Sequence, residues 1–361
     1  MLERLRRWLW DRRAKLTLMV GSSLLSILTL EVAFRLGGVR GSYVPPRVDR
    51  VEPGPNGAKQ RVPHGFIPGV NVVSRYSSDP RGYFGSDNSI EHRFNSVGWR
   101  DREHELAKPP GTLRILGLGD SYLYGQGVRH EDICLSRVER LLQPPAGKKL
   151  ECINAGISAY NTGHQLELLR NRGLAYQPDI VILHFVLNDV EPDVYKKGPK
   201  VEFYMDYVRV QQDPGLLCRY SYLWSWVRDR YFRASSARKY IRECVDSFSP
   251  QSDKWSQCRT ALDGIHRLCT ERKIPLLVVI FPFFIDLDGD YPFQPIHEVV
   301  RGHCDKQGIP VLDLRNTYRG FHGPELWVHP TDQHPNEKAH ELAATAIVAF
   351  LRERAKQFGL Q

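Results

Sequence analysis

The chain has 361 residues, which is long enough for one large domain with extensions. Of these residues 42% are hydrophobic and 25% are charged, a composition that excludes a wholly disordered polypeptide. Of the formal net charge of +9, the first fifteen residues, six basic and two acidic, hold +4, which leaves +5 for the other 346. A nucleic-acid partner is not expected, because the basic cluster lies beside an apolar segment rather than on a domain face.

That apolar segment predicts a membrane anchor. Residues 16–30 carry no charge, and extended to Leu36 the segment has about the 20-residue length that spans a bilayer. Glu31 and Arg35, four residues apart, can pair near the membrane surface. The preceding basic residues favour a cytoplasmic N-terminus, so residues 1–36 are predicted to be a head and anchor. A cleaved signal peptide and a buried helix are the alternatives.

The rest of the chain predicts an extension followed by an α/β domain. Residues 37–70 are rich in Gly, Pro and Arg and indicate a linker. Beyond them, continuous apolar runs alternate with segments of helical period. Such runs suit parallel strands that are buried on both faces between helices. The runs are residues 113–118, 150–154, 179–187, 275–281 and 310–314.

One interval between predicted strands, residues 190–256, is far longer than a crossover helix needs. We interpret it as an inserted cap that floors a substrate groove, or equally as a helical patch that packs on the sheet or on lipid. Its aromatic residues include Phe203, Tyr204, Tyr207, Tyr220, Tyr222, Trp224, Trp226, Tyr231 and Phe232.

The remaining motifs exclude several functions. The seven cysteines show no metal or CxxC spacing, although a Cys244–Cys258 disulfide stays open. Nucleotide-binding glycine motifs and HExxH are absent from the sequence. Residues 286–290 contain three aspartates, but His297 occupies the twelfth position of such a loop, so a polar loop is favoured over a calcium site. No cofactor or metal is expected.

Polar residues follow the predicted strands. Asp120 and Ser121 come after the first, residues 154–156 after the second, Asn188 and Asp189 after the third, and Asp332 and His334 after the fifth. Because the carboxyl ends of parallel strands meet at one edge of a sheet, these clusters are expected to converge there.

Four segments carry a resemblance to the GDSL/SGNH hydrolase family. GDSYLYG with Ser121, NAGISAY with Gly156, LND with Asn188 and DQHPN with His334 resemble its sequence blocks in order, over about residues 92–355. FNSVGWRDRE, residues 94–103, resembles a segment of membrane-anchored bacterial members. The resemblance implies a flavodoxin-like three-layer α/β/α fold, which we expect over residues 92–358 after an extension over 37–91. Together with the predicted anchor, it indicates a single-pass protein of the bacterial inner membrane with its catalytic domain outside the cytoplasm.

The resemblance also implies the roles of individual residues. Ser121 would be the nucleophile of a serine esterase, His334 the general base and Asp332 its orienting acid. The backbone N–H groups of Ser121 and Gly156 and the Asn188 amide would form the oxyanion hole. A serine needs a neutral imidazole to accept its proton, and the oxyanion needs donors that are already in place.

Three positions depart from the family pattern. The acid usually lies three residues before the histidine, where this chain has Thr331, so Asp332 must reach the imidazole through a shorter turn. Leu187 replaces the glycine before Asn188, and Tyr122 follows the serine.

Other roles are open for several of these side chains. Ser121 could instead cap a helix, and His329, in a second His-Pro pair, could be the base. Asp120 is expected to brace the turn through side-chain hydrogen bonds, and His184 to be a buried, hydrogen-bonded histidine.

The sequence therefore predicts an esterase that removes acyl groups, acetyl among them, from an extracytoplasmic glycan or small molecule. An O-acyltransferase that uses the same residues is one alternative. A non-catalytic SGNH-like module that binds an envelope partner is another, motivated by the shifted acid and by Leu187.

Overall fold

The computed structural model describes residues 2–39, 47–51, 68–69, 71–191, 217 and 220–361. The chain divides into two compact units, residues 1–43 with 198–240 and residues 44–197 with 241–361. Much of the predicted linker and of the predicted cap, including Phe203, Tyr204, Tyr207 and Cys218, lies outside the described residues.

The secondary structure alternates between strands and helices through most of the larger unit. The described strands are β1 (Arg47–Val51), β2 (Asn71–Arg75), β3 (Ser89–Arg93), β4 (Thr112–Gly119), β5 (Lys149–Gly156), β6 (Ile180–Val186), β7 (Leu276–Phe281), β8 (Val311–Asp313), β9 (Trp327–His329) and β10 (Asp332–Pro335). The described helices are α1 (Leu2–Leu36), α2 (Ser121–Tyr124), α3 (Cys134–Leu141), α4 (Thr162–Asn171), α5 (Tyr222–Ser247), α6 (Asp253–Glu271), α7 (Gln294–Gln307) and α8 (Glu337–Glu353).

A five-stranded parallel sheet forms the centre of the larger unit. Its strand order is β5-β4-β6-β7-β8, which is the flavodoxin-like arrangement. The five predicted apolar runs all become strands of this sheet, and the predicted parallel α/β architecture is confirmed. The side chains of β4, β6 and β7 are almost all buried because helices cover both faces of the sheet, whereas those of the edge strand β8 are partly exposed.

Neighbouring residues of β4 show the two helical layers. Gly117 faces α3, where a Cβ would meet the Leu135 side chain, whereas the Leu116 side chain lies beside Gly173, just after α4. Successive side chains of a strand point to opposite faces, so α3 and α4 lie on different sides of the sheet. Helix α8 packs on α3 and α6 packs on α4, completing the three layers.

Three strand ends meet where the site is expected. Gly119 at the end of β4 is paired with Gly156 of β5 on one side and with His184 of β6 on the other. The chain segments that leave these strands therefore begin next to one another.

The predicted linker and extension contain regular structure. Strands β1, β2 and β3 form an antiparallel sheet, with alternating side chains such as Val72 and Ser74 buried. Strand β1 lies within the predicted linker of residues 37–70, and its polar sequence RVDRV pairs with β2 without any apolar periodicity.

The segment after β8 forms a short hairpin that carries the predicted acid and base. Strands β9 and β10 pair antiparallel, with an irregular register between Asp332 and Pro335. Asn336 then caps α8, accepting a hydrogen bond from Ala339 N–H at 3.0 Å. Asp332 and His334 thus lie on the second strand of the hairpin, directly before a capped helix.

In the smaller unit, α1 includes a segment, Arg12–Leu36, that is long and apolar enough to cross a membrane, as a signal sequence can also be. The predicted Glu31–Arg35 pair is confirmed, with Arg35 Nε 2.7 Å from Glu31 Oε1. Glu31 also accepts hydrogen bonds from Ser221 Oγ at 2.7 Å and from Tyr222 and Leu223 N–H at 3.0 Å. The carboxylate therefore satisfies free donors at the start of α5.

Six cysteines are described, all of them are buried, and none of the six forms a disulfide. A Cys244–Cys258 disulfide is not formed. The six are Cys134, Cys152, Cys244, Cys258, Cys269 and Cys304.

Candidate active site

Ser121 lies at the first position of α2, directly beyond β4. Asp120 is the N-cap, and its Oδ1 accepts a hydrogen bond from Tyr122 N–H at 2.9 Å. The alternative in which Ser121 caps the helix is therefore wrong, and the expectation that Asp120 braces the turn is confirmed. Gly119 permits this tight turn, because a Cβ there would lie 2.7 Å from Leu123 Cβ.

Asp332 and His334 are in direct contact despite their short spacing. Asp332 Oδ1 lies 2.5 Å from His334 Nδ1 and also accepts the backbone N–H of His334 at 3.2 Å. Asp332 is buried, whereas the His334 side chain is 32% exposed. The turn thus presents the acid to Nδ1 and leaves Nε2 as the ring nitrogen that can accept a proton.

The charges of the pair stabilise one another. Burial alone would lower the pKa of His334, but the Asp332 carboxylate, through its charge and hydrogen bond, and the nearby Asp120 outweigh it and raise the pKa above its usual value. Burial would likewise raise the pKa of Asp332, but His334 and the Tyr76 hydroxyl outweigh it and lower the pKa. Asp332 is therefore ionised at neutral pH.

The Ser121 hydroxyl is directed at Asp120 in this structure. Ser121 Oγ lies 3.4 Å from Asp120 Oδ2, and Asn188 Nδ2 donates to the same oxygen at 3.3 Å. Within the described part of the chain, Ser121 and His334 form no hydrogen bond with each other. Burial raises the pKa of Asp120. This carboxyl, which sequence reasoning assigned only to the turn, thus joins Ser121 to Asn188.

The predicted oxyanion donors are placed differently from one another. Asn188 directs its amide at Asp120, while its buried Oδ1 has no hydrogen-bond partner among the residues described. The Gly156 N–H donates to Asn154 Oδ1 at 2.9 Å and is therefore already engaged. A Cβ at Gly156 would lie 2.5 Å from Tyr124 N, so this glycine allows α2 to pack against β5.

Two other histidines of the sequence analysis form no hydrogen bond with this pair, although His329 lies opposite Asp332 in the β9–β10 hairpin. His329 contacts Ser78 Oγ through Nε2 at 3.0 Å and Thr331 Oγ1 through Nδ1 at 2.8 Å. His184 is fully buried, as expected, but neither ring nitrogen has a hydrogen-bond partner among the described residues. The expectation that His184 is hydrogen-bonded is wrong, and burial lowers its pKa to about 3.

Two of the positions that depart from the family pattern, Tyr122 and Leu187, are buried. The Tyr122 ring meets His334 edge-to-face with centroids 5.8 Å apart, and Leu187 belongs to the hydrophobic core. Tyr122 thus forms one apolar wall against the imidazole.

Sequence reasoning missed one residue in contact with the site and one unusual backbone conformation. Tyr76, just after β2, donates a hydrogen bond to Asp332 Oδ2 at 2.8 Å. Ala159, in the turn after β5, has a φ of 65°, a left-handed conformation that is costly for a residue with a Cβ. No local sequence signal identifies either residue.

A metal site is not formed by the described side chains, which contain no group of three or more His, Cys, Asp or Glu residues placed to hold an ion. The arrangement at the end of β4 can instead perform proton transfer between a hydroxyl and a histidine, because it offers a serine, a carboxylate-bound imidazole and an amide within one edge of the sheet.

Comparison with known proteins gives one family. The model of the GDSL-like lipase/acylhydrolase family matches residues 118–342, more than half of the chain. No curated relative matches.

Several solved structures are similar at low identity. A two-domain esterase active on acetylated mannans is 16% identical with a TM-score of 0.39, and the match covers 67% of this chain but only 49% of that one. A lipase/acylhydrolase from Enterococcus faecalis is 17% identical, with a TM-score of 0.41 and coverage of 67% and 96%. A psychrotrophic esterase from Pseudoalteromonas sp. is 14% identical, with a TM-score of 0.39 and coverage of 67% and 98%.

Proposed function

This chain belongs to the GDSL-like lipase/acylhydrolase family and is an ester hydrolase, and we propose that it works through an acyl intermediate on Ser121. The observation that carries this proposal is the 2.5 Å contact between Asp332 Oδ1 and His334 Nδ1. That contact fixes the imidazole with Nε2 free to act as a base.

In the proposed reaction, Ser121 Oγ attacks the ester carbonyl while His334 Nε2 takes the hydroxyl proton. The tetrahedral intermediate collapses, the alcohol leaves with the proton from His334, and the acyl group remains on Ser121. Water then attacks the acyl-serine while His334 accepts a proton from it. The second tetrahedral intermediate collapses, His334 returns that proton to Ser121 Oγ, and the carboxylic acid is released. Asp332 stabilises the imidazolium in both steps without itself taking the proton.

Substrate binding must redirect two side chains. Ser121 Oγ has to turn from Asp120 to His334, and the Asn188 amide has to turn from Asp120 to the oxyanion. Apo sites often hold such groups away from their reactive geometry. The Ser121 N–H and the Asn188 amide are the proposed oxyanion donors, and Gly156 N–H can join them only by leaving Asn154 Oδ1.

The proposed substrate is a carboxylic ester, such as an acetyl ester, on an extracytoplasmic glycan or small molecule. The family supports ester chemistry. The apolar segment Arg12–Leu36 after a basic head supports a single-pass anchor in the bacterial inner membrane with the hydrolase unit outside the cytoplasm.

The contact between Asp332 and His334 favours a catalytic protein over the non-catalytic binding module. That alternative was motivated by the shifted acid, and the two-residue spacing still delivers the carboxylate to Nδ1. No observation favours transfer of the acyl group to a second hydroxyl over transfer to water.

The test is hydrolysis of p-nitrophenyl acetate by the full chain in detergent. Ser121→Ala and His334→Ala should each abolish turnover. Ser78→Ala is the matched control, because Ser78 also lies beside a histidine, with Oγ 3.0 Å from His329 Nε2, and should retain activity. Full turnover by Ser121→Ala would refute the proposal.

A further inference from the structure

The two oxygens of Asp332 have different partners. Oδ1 contacts His334 Nδ1, and Oδ2 accepts a hydrogen bond from the Tyr76 hydroxyl, with the hydroxyl oxygen 2.8 Å from Oδ2. The Asp332 side chain is 6% exposed, so water is largely replaced by protein donors around the carboxylate. Tyr76 therefore supplies the donor to the oxygen that does not face the imidazole.

Tyr76 is itself held firmly. Its ring stacks on Phe84 with centroids 4.4 Å apart and planes inclined by 4°, and its backbone N–H donates to Asn88 O at 2.9 Å. A Cβ at Gly127, whose φ is 72°, would lie 2.5 Å from the Tyr76 hydroxyl oxygen. The absence of a side chain at Gly127 is thus what lets the hydroxyl reach Asp332.

The hydrogen bond from Tyr76 restrains the orientation of the Asp332 carboxylate. Asp332 lies on the same short strand as His334, and rotation of its carboxylate would exchange the oxygen that faces the imidazole or remove both. A hydrogen bond to a charged oxygen is stronger than one between neutral groups, so the Tyr76 bond opposes that rotation.

We infer that Tyr76 is a positioning residue: its hydroxyl holds the Asp332 carboxylate in the rotamer that orients His334, and so controls proton transfer from Ser121. The inference rests on the proposed function, in which His334 is the base. The β1–β3 sheet then serves the reaction, because the segment that leaves β2 delivers a group to the acid from outside the family-matched residues 118–342.

The experiment uses the full chain in detergent with p-nitrophenyl acetate. Tyr76→Phe removes one oxygen and keeps the stacked ring, and kcat should fall about tenfold, equivalent to about 1.4 kcal/mol, with KM changed less than about twofold. Tyr83→Phe is the matched control: Tyr83 lies in the same buried cluster, but its hydroxyl donates to Asp132 Oδ2 at 2.7 Å, and kcat should be unchanged.

A double-mutant cycle separates positioning from a general structural role. In an Asp332→Asn background, Tyr76→Phe should cost less than about twofold, because the carboxylate through which it acts is gone. An equal tenfold loss in both backgrounds would overturn the inference. Gly127→Ala, which displaces the Tyr76 hydroxyl by a different route, should lower kcat selectively as Tyr76→Phe does.

Ser121→Ala distinguishes failure of the positioning role of Tyr76 from failure of the acyl-serine mechanism. If Ser121→Ala is inactive while Tyr76→Phe and Gly127→Ala match the wild-type kcat, the positioning role is refuted and the acyl-serine mechanism stands. If Ser121→Ala retains full turnover, the mechanism itself fails, and the role of Tyr76 fails with it.

Discussion

Replacing Asp332 by asparagine changes one atom at the centre of the proposed proton relay. The aspartate accepts three hydrogen bonds, from His334 Nδ1 at 2.5 Å, from His334 N–H at 3.2 Å and from the Tyr76 hydroxyl at 2.8 Å. Asparagine has a single acceptor oxygen. If that oxygen keeps the Tyr76 hydroxyl, the amide NH2 must face the imidazole.

The expected cost follows from the tautomer that this arrangement imposes. An amide NH2 facing Nδ1 requires Nδ1 to accept, so the ring proton moves to Nε2, where it blocks removal of the Ser121 proton. Loss of the correct tautomer costs a serine hydrolase about 10⁴-fold in kcat, and each factor of ten corresponds to about 1.4 kcal/mol. We therefore expect kcat for Asp332→Asn to fall by about 10³–10⁴-fold.

The assay is steady-state hydrolysis of p-nitrophenyl acetate by the full chain, together with urea unfolding to show that the variant is folded. KM should change little, because the Asp332 side chain is only 6% exposed and contacts His334 rather than solvent. A folded Asp332→Asn protein that keeps more than about a tenth of the wild-type kcat would refute the role given to this carboxylate.

Four further predictions concern pH dependence, the oxyanion and stability. Although burial opposes it, Asp332 and Asp120 raise the pKa of His334, so kcat/KM should fall as the pH drops through a value above about 6.5, measured as an acid limb in the pH profile. Asn188→Ala should lower kcat by about 10²–10³-fold, measured in the same ester assay. Gly156→Ala should destabilise the fold by about 1–3 kcal/mol in urea unfolding, because its Cβ would lie 2.5 Å from Tyr124 N. The control is Gly302→Ala in α7, which should be neutral or stabilising because a Cβ there would have no atom within 4 Å. Burial would lower the pKa of His104, but Asp101 and Glu151 outweigh it and raise that pKa. Protonated His104 therefore stabilises the folded state below about pH 6.5, and this contribution is lost as the pH rises through the raised pKa. The free energy of unfolding of a His104→Gln variant should depend less on pH over this range.

The parallel sheet could be predicted because its signal is local. A strand covered by helices on both faces must be apolar at nearly every position. An uninterrupted apolar run such as residues 276–281 is therefore enough to predict a strand. The polar residues that follow these runs could be placed at one edge of the sheet because the carboxyl ends of parallel strands meet there.

The sheet of β1, β2 and β3 could not be predicted, because its strands are short and β1 is polar. The contact between Tyr76 and Asp332 joins residues 256 positions apart, and no sequence window contains both. The Gly156 N–H shows a third limit: its use depends on the side chain of Asn154 turning back toward its own strand, which spacing alone does not reveal.

Covalent labelling tests the central claim most directly. The full chain, treated with a p-nitrophenyl phosphonate and digested, should carry one adduct, on Ser121, with loss of activity in step with labelling. The adduct should be missing from Ser121→Ala and formed much more slowly in His334→Ala. An active protein that is labelled at another residue such as Ser78, or that remains unlabelled at Ser121, would contradict the acyl-serine mechanism.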